Sequence, residues 1–153
     1  MVRNQGVTNE SLADYLEDED YLGLFFVSVK ADNEKDIFEQ LLANTLVEAS
    51  AEYLQNYVSE NNWYVKIRPA IGYPSLPDHS LKKEVFELLK AEDIGVKLTE
   101  NFSMEPAATV CGIYIGNSKS EYISPRVILD DQIEEISKIK SITPLTLKKY
   151  MGI

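Results

Sequence analysis

The chain has 153 residues, of which 25 are Asp or Glu and 15 are Lys or Arg, so its formal net charge is -10. This acidic balance argues against general binding to nucleic acid or to anionic membranes, because both depend on basic surfaces that release counterions. With 44% hydrophobic residues and the length of one ordinary domain, the sequence predicts a single globular domain over residues 1–153.

Two short elements are predicted within the first 30 residues. Residues 8–16 place capping residues ahead of a short apolar pattern, which favours a short helix, and an acidic turn follows. Residues 21–29 are aromatic, β-branched and apolar on both faces for much of their length, as in a central strand.

A long helix is predicted after Asp32. Its first apolar set has helical spacing and consists of Phe38, Leu41, Leu42, Leu46, Ala49, Tyr53 and Tyr57. A second set makes the helix apolar around much of its circumference and consists of Ala43, Val47, Leu54 and Val58. The two sets together predict burial in the middle of the domain. Glu48 lies among them, and a carboxylate there needs a partner or an opening to water.

A short extended segment at residues 63–67 is predicted to lead into a stiff, irregular loop at residues 68–79. Three prolines in this loop fix their own φ angles and bias the residues before them toward extended conformations. Gly72 permits a turn or the close approach of another backbone.

The remaining residues predict further helices and strands. A helix is expected from about residue 78 to Gly95, followed by extended segments at residues 96–102, 109–115 and 122–128 and by helices from residues 130 and 143. The middle extended segment shows little polar alternation, which predicts that it is covered on both faces. The order of elements, without a repeated βα unit, predicts an α+β domain with a twisted antiparallel sheet flanked by helices.

The sequence predicts no catalytic residue and no metal site. It contains one histidine, His79, and one cysteine, Cys111, and it lacks the glycine motifs that bind phosphates or dinucleotides. A cysteine inside an apolar strand is far more often a core residue than a nucleophile, so a His79–Cys111 dyad is not favoured. The unpaired thiol and the absence of an apolar export signal in residues 1–6 lead us to expect a cytoplasmic protein.

The residues best suited to ligand binding are Arg68, Glu48 and the tyrosines, of which the chain has 9. An arginine can bind a carboxylate with two parallel hydrogen bonds, a glutamate can receive an ammonium group, and a tyrosine ring can stack on a base or face a cation. Together these groups suit a small zwitterion with an aromatic part. A purely structural ion pair between Arg68 and Glu48 remains open as an alternative.

Several blocks of the sequence resemble the activation domain of cobalamin-dependent methionine synthase. The loop RPAIGYP (68–74) and the following PDH (77–79) resemble the RPAPGYP and PEH motifs of that family. The segment LVEASAEYL (46–54) is similar to its LAEAFAEYL helix, and KLTENFSM (97–104) is similar to its KLTESFAM. Shorter matches follow at GIY (112–114), SEY (120–122) and DQIE (131–134). The blocks occur in family order from about residue 12 to the C-terminus.

The resemblance implies an α+β domain that binds S-adenosylmethionine and presents it to cobalamin carried by a neighbouring domain. An electron from flavodoxin or another reductant, coupled to methyl transfer from S-adenosylmethionine, would then restore methylcobalamin. By the same resemblance, Arg68 would hold the methionine carboxylate and Glu48 would lie near the polar end of the ligand. Ala70 would contribute backbone hydrogen bonding, and Tyr73 and Tyr122 would line the groove.

The resemblance also bears on partners. The chain looks like a shortened, stand-alone form that lacks the N-terminal portion of the family domain and has no cobalamin-binding module. It is therefore expected to act in trans on a cobalamin-binding methionine synthase chain and not to be catalytic alone. Alternatives are an activator of a different corrinoid methyltransferase and a structural remnant that binds a partner but no ligand. A lysine group near the C-terminus is either a docking face for an acidic reductant or a solvated helix surface, and it consists of Lys138, Lys140, Lys148 and Lys149.

Overall fold

The structure is a computed structural model, and it describes residues 10–31, 36–61, 63–123 and 128–153. The helices are α1 (Ile37–Asn61), α2 (Lys82–Leu89), α3 (Asp130–Lys140) and α4 (Pro144–Met151). The strands are β1 (Gly23–Ser28), β2 (Lys97–Leu98), β3 (Met104–Glu105) and β4 (Thr109–Tyr114). Short 3-10 helices cover Leu12–Tyr15, His79–Leu81 and Ala91–Ile94. Within the described ranges, no helix is long and apolar enough to cross a membrane.

The main sheet has β4 in its middle. β1 pairs antiparallel with β4 along its whole length. On the other edge of β4, residues 66–71 also run antiparallel, starting with reciprocal backbone hydrogen bonds of 3.2 and 3.1 Å between Ile67 and Ile115. β2 and β3 form a separate antiparallel pair. The predicted α+β domain with an antiparallel sheet is confirmed.

Pro69 and Gly112 explain why this third strand is interrupted and yet lies close to β4. The Pro69 carbonyl accepts a hydrogen bond of 3.1 Å from the Ile113 N–H, but a proline has no N–H to return one. A Cβ at Gly112 would lie 2.2 Å from the Pro69 oxygen and 2.7 Å from Cε1 of Phe25. The glycine thus admits two neighbours at once. The extended segment predicted at residues 63–67 therefore continues into the predicted loop.

The two faces of the sheet are covered by different helices. On one face, α1 packs Ala43, Val47 and Ala51 into a cluster that includes Phe25. On the other face, α2 packs into a cluster that includes Cys111. β4 is therefore covered on both faces, as its lack of polar alternation predicts.

α1 does not lie buried in the middle of the domain, which corrects the prediction from its two apolar sets. Only Ala43, Val47 and Ala51 are buried, and most of the first set is exposed, with Phe38 at 79% and Tyr53 at 72%. Small side chains occupy the contact because the helix lies close against a face already filled by large aromatic rings. Leu54 and Val58 pack against the margin of this cluster, and the larger side chains of the first set point to solvent.

Three other predicted elements differ in detail. The helix predicted up to Gly95 ends at Leu89, because Lys90 adopts a left-handed conformation with φ of 52°, and a 3-10 turn follows. The segment predicted at residues 122–128 is not a strand where it is described, and residues 124–127 lie outside the described residues. The described part of the first predicted helix is a 3-10 turn, and residues 8–9 are also outside the described part.

Candidate functional site

All five site residues predicted from the sequence lie on one open cavity of about 360 Å³. We call it the Arg68 groove, and it is defined by Glu48, Arg68, Ala70, Tyr73 and Tyr122. The long helix α1 supplies the glutamate, and the interrupted strand supplies the arginine and the alanine. The turn after that strand and the segment after β4 supply the tyrosines, which are 54% and 60% exposed. The ligand-binding role of these residues stays a prediction.

The side chain and backbone of Arg68 are held from three sides. The Arg68 N–H donates to Oη of Tyr122 at 3.0 Å. Its Nε–H donates to Oε1 of Gln55 on α1 at 3.4 Å, and its Cζ lies 5.4 Å from the ring centroid of Phe25. No described residue accepts a hydrogen bond from its two terminal NH₂ groups. This end of a positioned guanidinium is suited to a carboxylate.

Glu48 faces the same cavity but is not paired with Arg68. The described residues contain three ion pairs, and none of them involves Arg68 or Glu48. The structural ion pair considered from the sequence is therefore not formed. Instead, Oη of Tyr73 donates to Oε1 of Glu48 at 3.4 Å. The pKa of Tyr73 is raised by burial and by the Glu48 charge and hydrogen bond, and Arg68 partly opposes this, so the phenol stays protonated at neutral pH.

Backbone groups and one serine complete the groove. In an antiparallel edge strand, alternate residues direct their N–H and C=O groups away from the neighbouring strand. Pro69 and Ile71 bond to β4, so Ala70 directs its N–H toward the open edge, where the groove lies. The Ser75 hydroxyl donates to the carbonyl of Ile123 and fastens the segment that carries Tyr122 to the loop.

Sequence reasoning missed the residues that position Arg68 and the segment that carries Tyr122. Gln55 lies seven residues after Glu48, which is two helical turns, so a search along the same face of α1 had a signal to find it. Phe25 and Ser75 had no such signal. Their contacts join segments that are far apart in the sequence, and those contacts depend on the strand pairing.

His79 and Cys111 do not form a catalytic dyad. Cys111 is 1% exposed, and burial raises the pKa of its thiol to about 11, while Lys82 opposes the shift. Its Sγ contacts Sδ of Met104 at 3.8 Å. Nδ1 of His79 lies 2.9 Å from Nζ of Lys82. A protonated, enclosed thiol of this kind is a core group.

Of the four lysines near the C-terminus, two form ion pairs with described residues. Lys140 pairs with Asp78, and Lys148 pairs with Asp130 at 2.7 Å. Lys138 and Lys149 are exposed, and none of the ion pairs of the described residues involves them. Two of the four charges are thus compensated within the chain, which leaves a smaller basic face than the sequence predicts.

Comparisons with known proteins show the family and the fold of the chain. The family model described as "Vitamin B12 dependent methionine synthase, activation domain" matches residues 1–141. The crystal structure of the MetH reactivation domain bound to AdoHcy is similar in fold, with a TM-score of 0.81 and 30% sequence identity. The similarity covers 98% of this chain and 57% of that chain, so this chain spans little more than half of its length.

Proposed function

This chain belongs to the family of vitamin B12 dependent methionine synthase activation domains, and from that premise we propose that it binds S-adenosylmethionine in the Arg68 groove. We further propose that it acts in trans, in the cytoplasm, to support the reductive methylation of cobalamin carried by a methionine synthase chain. One observation carries the proposal. Five residues from three separate parts of the sequence, namely α1, the 68–74 segment and the segment after β4, meet on one cavity in a chain that is similar to a reactivation domain bound to AdoHcy.

The groups around the groove fit this ligand. The terminal NH₂ groups of Arg68 can bind the ligand's carboxylate with two parallel hydrogen bonds, and Glu48 can receive its ammonium group. The rings of Tyr73 and Tyr122 can stack on adenine or face the positive sulfonium. The volume of about 360 Å³ is within the range of small-molecule pockets.

In this proposal the chain contributes position and electrostatics. The methyl group comes from S-adenosylmethionine, and the electron and the cobalt come from a reductant such as flavodoxin and from the cobalamin protein. Arg68 and Glu48 hold the two opposite charges at one end of the ligand, which fixes its direction in the groove. The two tyrosines are more than half exposed, so the groove stays open on the side where a partner has to reach the methyl group.

Calorimetric titration of the full chain with S-adenosylmethionine tests the binding step. We expect saturable binding with a Kd below about 1 mM. Arg68→Ala is expected to weaken it by roughly 10- to 100-fold, because hydrogen bonds between charged groups contribute about 1.5–3 kcal/mol. Lys66→Ala is the matched control, since Lys66 is an exposed cation two residues away and lies outside the groove. A wild-type chain that takes up no ligand would contradict the proposal.

The action in trans needs a separate experiment. The tagged chain is incubated with the cobalamin-binding region of a methionine synthase under reducing conditions, with and without S-adenosylmethionine. We expect the cobalamin protein to be recovered with the tagged chain. If the chain binds S-adenosylmethionine normally but recovers no cobalamin protein, the proposed partner is contradicted and the proposed ligand is not. A parallel incubation with the cobalamin protein of a different corrinoid methyltransferase tests the alternative partner, which recovery in that arm alone would identify.

A further inference from the structure

A second cavity lies at the other end of the loop that contains Arg68. Its volume is about 660 Å³, and its lining includes the cations Lys82 and Lys149, the carboxylate of Glu100 and the imidazole of His79. Its remaining walls come from the turn between β2 and β3 and from the end of α4. We call it the Lys82 cavity. It shares no lining residue with the Arg68 groove.

Lys82 is a buried cation without a compensating carboxylate. It is 5% exposed, and none of the ion pairs of the described residues includes it. Its Nζ donates to Nδ1 of His79 at 2.9 Å and to the carbonyl oxygen of Phe102 at 3.0 Å. One of its three N–H donors therefore remains. Burial lowers the pKa of Lys82, and Cys111 opposes this shift.

The groups around Lys82 are fixed in place. Phe102 has φ of 59°, which is uncommon for a residue with a side chain, and its N–H donates to the Thr99 carbonyl at 2.9 Å. Its ring packs edge-on against Tyr150 of α4, with centroids 4.9 Å apart. The other partner, His79, lies against Gly72, where a Cβ would be 2.6 Å from the imidazole Cε1. The cavity is thus built from groups held by three separate segments.

We propose that the Lys82 cavity binds an oxyanion, namely a phosphate or carboxylate group of a small molecule. Lys82 supplies the buried positive charge and its remaining N–H donor, and the exposed Lys149 supplies a second cation at the opening. An anion in this position compensates a charge that the described residues leave uncompensated. Glu100 is exposed at the same opening. Its carboxylate repels the anion and therefore lowers the affinity, although it does not bind the anion itself.

The test uses the full ¹⁵N-labelled chain titrated with pyrophosphate and, separately, with citrate, at constant ionic strength set by chloride. We expect saturable shifts of the backbone amides of Phe102 and Ser103, with a Kd below about 1 mM for at least one of the two anions. The preferred anion distinguishes phosphate from carboxylate. Amides of the Arg68 groove should not move, and a chain saturated with S-adenosylmethionine should give the same shifts.

Variants decide whether the cavity is responsible. Lys82→Met, which keeps an unbranched side chain but removes the ammonium group, should weaken binding at least tenfold, an effect of about 1.4 kcal/mol. Lys83→Met is its control, because the neighbouring Lys83 is exposed and lies 4.0 Å from Glu87 instead. Should Lys82→Met fail to fold, two surface variants still test the proposal: Lys149→Met should weaken binding and Glu100→Gln should tighten it. The proposal would be overturned if the wild-type chain showed no saturable shift, or if both surface variants bound the anion with the same affinity as the wild-type chain.

Discussion

The two cavities at the ends of one loop hold their cations in different ways. Arg68 lies at the edge of an open groove, positioned by Gln55 and stacked over Phe25, with the carboxylate of Glu48 on the same groove. Lys82 is enclosed, and no described carboxylate pairs with it. A groove with both signs of charge suits a zwitterion, and a cavity with excess positive charge suits an anion. The local balance of charges thus differs between the two cavities, even in a chain with a net charge of -10, and the two proposed ligands follow this difference.

The largest expected effect comes from disturbing the contact between β4 and the interrupted strand that carries Arg68. Gly112→Val places a side chain where a Cβ would already lie 2.2 Å from the Pro69 oxygen. Because that neighbour is backbone, we expect the free energy of unfolding to fall by about 3 kcal/mol in a urea titration. Gly95→Ala is the control. Its φ of 81° is unfavourable, but no atom lies within 4 Å, so a loss of only about 1 kcal/mol is expected. Equal losses in the two variants would contradict the close approach.

A smaller effect is expected where the loop ends at Asp78. This carboxylate is 8% exposed, pairs with Lys140 and accepts a hydrogen bond of 2.9 Å from the Ser80 N–H. Lys140→Met leaves it without its cation, and we expect a loss of about 2 kcal/mol in urea unfolding, below the range for fully buried pairs. Lys148→Met removes a lysine from an exposed pair and should leave the urea midpoint unchanged. A midpoint lowered equally by both changes would show that burial does not distinguish the two pairs.

The smallest expected effect is a pH dependence of the free energy of unfolding that arises from His79, at the end of the loop near Lys82. The pKa of His79 is lowered by burial and by Lys82, while Asp78 opposes the shift. The unfolded chain therefore takes up this proton at a higher pH than the folded chain, so stability is level above about pH 7 and decreases as the pH falls through 6.5. The sequence has one histidine, so His79→Asn should remove this slope from urea midpoints measured between about pH 5.5 and 7.5. A slope that persists in the variant would assign the effect to other groups.

The residues that line the groove could be predicted from the sequence, whereas the packing of the helix beside it could not. Arg68, Ala70 and Tyr73 lie within seven residues, so one local motif places all three. The apolar spacing of α1 gave two candidate faces, and it could not show that the smaller side chains, such as Ala51, would be the buried ones. That choice depends on how closely the helix approaches the sheet. The buried charge of Lys82 was missed for a similar reason. His79 lies three residues before it, but the Phe102 carbonyl lies 20 residues further along the chain, and that contact depends on tertiary packing.

Comparing S-adenosylmethionine with its decarboxylated analogue tests the role of Arg68 most directly, because the two ligands differ only in the carboxylate that Arg68 is proposed to bind. Calorimetry is performed with both ligands on the wild-type chain and on Arg68→Ala. We predict that the wild-type chain binds S-adenosylmethionine at least tenfold more tightly than the analogue, an advantage of about 1.4 kcal/mol or more, and that Arg68→Ala binds the two equally. A preference that survives in Arg68→Ala, or that is absent from the wild-type chain, would contradict this assignment.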